Sequence, residues 1–112
     1  MQYMILIYED ENPYANAAEL QNMTEKHMAL VGELGEAFKG GAGLERVTTA
    51  TTVRTAADGS QSIHDGPFAE TREQLGGYYL IDVPDLDAAL AIAKKVPLRL
   101  SGAIEVRPLI HQ

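Results

Sequence analysis

Nine consecutive residues, Asp65-Gly66-Pro67-Phe68-Ala69-Glu70-Thr71-Arg72-Glu73, bring together side chains that bind and react. Acids stand at both ends, with a turn-forming Gly-Pro, an aromatic, another acid and a base between them. The stretch falls between two strand-like runs and therefore reads as a loop. Loops held by a rigid scaffold are where binding and catalytic groups concentrate.

His27 is the second focus. It lies on an apolar stripe with Met23, Val31 and Leu34. A buried polar group without a partner costs free energy, so an imidazole there needs a reason. Two readings are open. One is an imidazole bonded to a backbone carbonyl. The other is a general acid or base lining a pocket between helix and sheet, a role that suits histidine because it titrates near neutral pH.

Asp65 also has two readings. An aspartate before Gly-Pro often bonds its own loop backbone. Alternatively its carboxylate orients His27 and raises its basicity. Phe68 is either pocket wall or core. Glu70 and Arg72 could hold a polar ligand, or pair with each other or with Glu73. Tyr8 and Tyr78 are strand aromatics whose hydroxyls could reach a pocket or simply pack. His27, His64, Asp65 and His111 include metal-ligand types, but no two histidines lie at a metal-motif spacing, so neither metal nor cofactor is expected. Walker, dinucleotide and nucleophile-elbow motifs are absent from the sequence.

Composition narrows the classes. The chain has 112 residues and reads as one domain, 1–112. Its formal net charge of -7 argues against nucleic-acid binding. The absence of cysteine excludes disulfides and thiolate chemistry and fits the cytoplasm. No apolar run approaches the roughly 20 residues that span a bilayer, so no membrane association is expected.

The elements that must position these groups follow from periodicity. Tyr3 to Tyr8 is apolar at nearly every position, as in a central strand, and Glu9 to Pro13 ends it. Asn16 and Glu19 resemble a capping box. Leu20, Met23, His27, Val31, Leu34 and Phe38 then recur at helical spacing, with Gly40-Gly41 as the stop. Gly32 and Gly35 weaken this helix, and close packing against another backbone is one reason for them. Leu44 to Thr55 reads as a strand, Asp58-Gly59 as a turn, and Gln61 to His64 as a short strand pairing back. Gly76 to Val83 is a further strand. Pro84-Asp85 opens a second helix, Lys94-Lys95 suit its last turn, and Pro97 ends it. Ala103 to Leu109 is the last strand, with Ile104 and Val106 on one face and Glu105 and Arg107 on the other. The fold class is α+β, a ferredoxin-like split β-α-β with an extra hairpin. Two helices cover one face of such a sheet. The other is too apolar to stay wet, which predicts a homodimer packed sheet to sheet.

Asp65 to Thr71 resembles the signature of the DGPF proteins, part of the YCII-related group. Tyr3 to Glu9, Gly76-Gly77-Tyr78 and Gly102 to Pro108 are also similar to that family's pattern, so the likeness spans nearly the whole chain. The resemblance implies a dimeric α+β barrel. It also implies an unknown small-molecule substrate handled by a histidine-aspartate pair, for which His27 and Asp65 are the matching positions. Similar proteins often accompany extracytoplasmic-function sigma factors, which implies a regulatory alternative. His64 departs from the pattern, where a small β-branched residue is more usual.

Overall fold

The computed structural model describes residues 1–11, 16–99 and 101–112. Asn12 and Pro13, expected to end the first strand, lie outside the described residues. The elements in order are β1 (Gln2–Asp10), α1 (Ala17–Leu34), β2 (Phe38–Gly43), β3 (Thr51–Thr55), β4 (Gln61–Asp65), β5 (Glu73–Asp82), α2 (Leu86–Ala93) and β6 (Gly102–Pro108). The fold is mixed α+β, with antiparallel sheets and two helices.

β1 is central, as its continuous apolar run requires. The large sheet has the order β2-β5-β1-β6. β1 pairs with β5 from Gln2↔Asp82 to Asp10↔Glu73, and with β6 from Tyr3↔Pro108 to Glu9↔Gly102. Strand side chains alternate between faces, and directly paired residues share one. Tyr3, Ile5 and Ile7 of β1 therefore face the same way as Tyr79 and Ile81 of β5, and all are buried. The helices cover this side, and Leu30 of α1 and Ala89, Ile92 and Ala93 of α2 complete the core. Fully burying an isoleucine such as Ile5 or Ile81 stabilises by about 1.5–3 kcal/mol.

Alternation puts Met4, Leu6 and Tyr8 on the opposite face, with Tyr78 and Leu80 of β5 beside them. These are only half-buried. Glu105 and Arg107 of β6 share that face, opposite Leu6 and Met4. The sheet is open at β2 and β6, and the single chain closes no barrel.

Both helices start where their caps predict. Asn16 Oδ1 accepts from the Glu19 amide at 2.9 Å, and Asp85 Oδ1 accepts from the Ala88 amide at 2.9 Å. The first helix stops earlier than Gly40-Gly41. Gly35 takes φ 55°, a left-handed conformation suited to glycine, and its amide bonds Val31 O. Gly32 has no close neighbour where a Cβ would sit, so close packing does not explain it. Phe38, Gly40 and Gly41 belong to β2. A Cβ on Gly41 would lie 2.6 Å from the Tyr78 carbonyl oxygen, so a glycine is needed for that pairing. The helical spacing of Phe38 misled because it coincides with the inward parity of a strand. The second helix also stops earlier, at Ala93, with Lys94 as its C-cap.

Leu44 to Thr55 is not one long strand. Val47–Thr49 form a short 3-10 turn, and only Thr51–Thr55 is a strand, paired with β4 in a separate two-stranded sheet. Asp58 tightens the turn by accepting from the Ser60 amide and hydroxyl at 2.9 and 2.7 Å. This hairpin forms an arm with little core of its own. Val53 and Ile63 are cross-strand partners yet both are exposed, Ile63 by 73%. The extents of 44 × 41 × 19 Å describe a thin slab, and the radius of gyration is 15.9 Å, against about 13 Å for a compact chain of this length.

Candidate functional site

His27 is half-buried on α1, directly above β5. Its Nδ1 lies 2.6 Å from the hydroxyl of Tyr79, and the rings meet edge to face with centroids 5.9 Å apart. Phe38 meets the same tyrosine at 5.6 Å and 87°. Tyr79 is thus held between α1 and β2 with its hydroxyl aimed at the imidazole. The histidine partner is a side chain, not the backbone carbonyl that one sequence reading required.

The protonation of the pair follows from its surroundings. Burial lowers the His27 pKa from its ordinary 6.5 and raises the Tyr79 pKa from its ordinary 10.0. Both groups are therefore neutral at pH 7. Among the described residues His27 is the one hydrogen-bond partner of the Tyr79 hydroxyl, and the direction of that bond follows the tautomer of the ring. A neutral imidazole accepting at Nδ1 carries its proton on Nε2.

Two clefts meet at His27. The larger, about 480 Å³, is lined by apolar groups including Ile7, Met28, Val31 and Phe38, with Tyr79 and His27. The smaller, about 230 Å³, runs past Met23 and Leu20 towards Arg46 and Arg99. Glu9, Thr24, His27, Gly43 and Gly76 line both. A small cleft with apolar walls and few polar groups is the usual form of a ligand site.

Glu9 is the carboxylate at the join. Its place depends on a bulge: pairing steps from Ile7↔Gly77 to Tyr8↔Leu75, which leaves Gly76 as the extra residue. Bulges often re-aim side chains beside sites. A Cβ on Gly76 would lie 3.2 Å from Glu9 Oε1, so the glycine leaves the carboxylate its space. Neighbouring acids are already engaged. Asp10 pairs with Arg72 at 3.1 Å, and Glu11 accepts from the Val47 amide at 2.9 Å. Arg99 lies 3.6 Å from Glu19. Glu9 makes no hydrogen bond or ion pair among the described residues.

The other sequence-predicted residues lie elsewhere. Asp65 ends β4 on the arm with its side chain exposed, and no hydrogen bond or ion pair joins it to His27. Tyr8 and Tyr78 point to the opposite face of the sheet from His27. Phe68 and Glu70 line neither cleft. Phe68 is 73% exposed, and its carbonyl accepts from Arg54 at 2.9 Å. Arg72 pairs with Asp10 rather than with Glu70 or Glu73. His64 Nε2 sits 3.4 Å from the Pro67 carbonyl. Among the described residues no three His, Asp or Glu side chains cluster to hold a metal, and no helix is long and apolar enough to cross a membrane.

Sequence reasoning missed Tyr79 and Glu9. The parity of β5 was the usable signal: with Ile81 inside, Tyr79 is inside and Tyr78 outside. Glu9 was hidden by its acidic neighbours, which read as a strand end.

Residues 1–111 match the model of the YCII-related domain. The chain belongs to the YCII-related family. It is also 40% identical over 115 residues to an uncharacterised protein of Rhizobium meliloti (strain 1021), covering 97% of this chain and 92% of that one. This YCII-related chain therefore has its family fixed by comparison.

Proposed function

We propose that this YCII-related protein is an enzyme acting on a small molecule bound between α1 and the sheet, with His27 as its acid-base group. The observation that carries this reading is the imidazole fixed by Tyr79 where two clefts join. A histidine kept only for packing also needs a hydrogen-bond partner, but it has no need of a second ring nitrogen left to a cavity. Replacing His27 with Gln tests the reading directly. A thermal-shift screen of metabolites should give a stabilising ligand with wild type and lose it with the variant. A ligand at 100 times its dissociation constant adds about 2.7 kcal/mol to stability. Ligands that stabilise both proteins equally would remove His27 from the site.

The functional unit in this proposal is a homodimer of ferredoxin-like chains, in the DGPF subgroup. The β2-β5-β1-β6 order supports the ferredoxin-like part. Met4, Leu6, Tyr8, Tyr78 and Leu80 support a sheet-to-sheet barrel, because together they make an apolar face that the helices do not cover. The exposed Val53, Ile63 and Phe68 suit an arm that packs on a second copy. Asp65 joins His27 only across such a dimer, carried on the arm of the other copy. Tyr8 and Tyr78 then belong to the barrel interior, and Phe68 and Glu70 to the arm contact. Sedimentation at micromolar concentration should give twice the chain mass, and a clean monomer rules the dimer out.

A non-catalytic binding module, including one in sigma-factor signalling, would use the same cleft. It predicts saturable ligand binding with no turnover of any bound compound.

A further inference from the structure

If the Tyr79 hydroxyl donates to Nδ1, neutral His27 carries its proton on Nε2 and is a hydrogen-bond donor towards the cleft. Glu9 at the join of the two clefts is an acceptor without a partner among the described residues. A donor and an acceptor lining the same clefts match a ligand that offers a carbonyl oxygen to one and an acidic C–H to the other.

We infer that the cleft binds an enolisable carbonyl compound with an apolar body, and that Glu9 is the base and His27 the electrophile of a proton transfer at the carbon α to that carbonyl. This rests on the reading of the cleft as a small-molecule site, and it moves the base from His27 to Glu9 while leaving His27 as a hydrogen-bond donor. The Glu9 carboxylate takes the α proton. The C–H electron pair becomes the new C=C bond, and the carbonyl π pair moves onto oxygen. The Nε2–H of His27 bonds the enolate oxygen as charge develops there. Return of the proton from Glu9 to carbon restores the carbonyl, so neither oxidant nor reductant is consumed. Ile7, Met28, Val31 and Phe38 accept the apolar body. Arg46, lining the smaller cleft, offers a cation to a carboxylate on the same ligand.

Tyr79 is a positioning residue in this scheme. Its hydroxyl occupies Nδ1 and so fixes the tautomer that donates from Nε2. A charged imidazolium would be a stronger donor but would also pair with Glu9 and quench the base. Low-pKa neutral imidazole beside a free carboxylate is a known solution to the same problem in triosephosphate isomerase.

Phenylpyruvate has the required parts: an aromatic ring, an enolisable carbonyl and a carboxylate. Its C3 protons can be followed by NMR in deuterium oxide. Wild type should accelerate their exchange about 100-fold or more over buffer, the usual scale of general acid-base catalysis. Glu9→Gln and His27→Gln should each return the rate to near background. Exchange retained in Glu9→Gln overturns the assignment of the base. Binding of phenylpyruvate without exchange overturns the proton transfer while leaving the small-molecule site in place. Neither binding nor exchange overturns the ligand class. The ¹⁵N shifts of His27 in unliganded wild type give a test independent of any variant's folding. They should show a bare Nδ1 and a protonated Nε2, and the opposite tautomer overturns the electrophile. Tyr79→Phe should mix the two tautomers and shift the pH profile of exchange.

Discussion

The Tyr79 hydroxyl and the His27 imidazole, 52 residues apart in sequence, meet at 2.6 Å across the boundary between sheet and helix. The contact ties the central strand pair to α1 and settles which ring nitrogen is free. Removing the hydroxyl in Tyr79→Phe leaves Nδ1 without its partner in a half-buried site. The expected loss is about 1–3 kcal/mol, the cost of an unsatisfied polar group. Urea unfolding of the two proteins measures it, and equal midpoints with equal slopes would show that water replaces the hydroxyl at no cost.

Stability should fall on the acid side because of His27. Its folded pKa is depressed by burial below the ordinary 6.5. The unfolded chain therefore binds the proton first as pH drops. Stability is unaffected by this group above about pH 6.5, declines as pH falls from there towards the folded pKa, and is flat again below it. The groups facing the ring or lining its clefts are Tyr79, Glu9, Asp10, Glu11, Arg46 and Arg99. Chemical denaturation of wild type and His27→Gln across pH 5 to 8 isolates the effect. The variant should lack the decline just below pH 6.5.

Gly41→Ala should destabilise the sheet edge. The new methyl would stand 2.6 Å from the Tyr78 carbonyl oxygen and 3.3 Å from the Phe38 ring. Relief requires β2 to move away from β5, which also loosens the clamp on Tyr79. Overpacking of this kind costs about 1–3 kcal/mol. Thermal unfolding should show the loss, whereas Gly32→Ala, with open space around it, should be neutral or stabilising.

A charge placed on the uncovered sheet face should dissociate the proposed dimer. Leu6 and Leu80 stand there on adjacent central strands, each half-buried. Leu80→Lys should give a monomer in sedimentation with its helical circular dichroism intact. An unchanged dimer would move the interface elsewhere.

The frame of this fold was largely legible from local chemistry. The run from Tyr3 to Tyr8 announced a central strand, and Asn16 and Asp85 announced helix starts, because caps and burial leave marks on single residues. The turn from α1 into β2 was not legible. Phe38 satisfies both helical spacing and strand parity, and Gly40-Gly41 reads as a stop until the close backbone of β5 is known. The candidate site was half legible as geometry. His27 stood out as a polar residue on an apolar stripe. Its partner did not, because choosing Tyr79 over Tyr78 needs the register of β5 against β1. Asp65 stood out for its motif, but motif and spacing hold no information on which copy of a chain its arm will meet.

The central place of β1 also governs how the chain comes to be folded. Among the described residues β1 pairs with β5 and β6, which follow it in the chain after α1, β2, β3 and β4. At about 5–20 residues per second, synthesis of the residues between β1 and β5 leaves an apolar strand without partners for several seconds or more. Such long-range pairing is intrinsically slow and exposed to aggregation. Newly made chains should therefore depend on chaperones that hold extended apolar segments, and a truncation before β6 should precipitate even though both helices are complete.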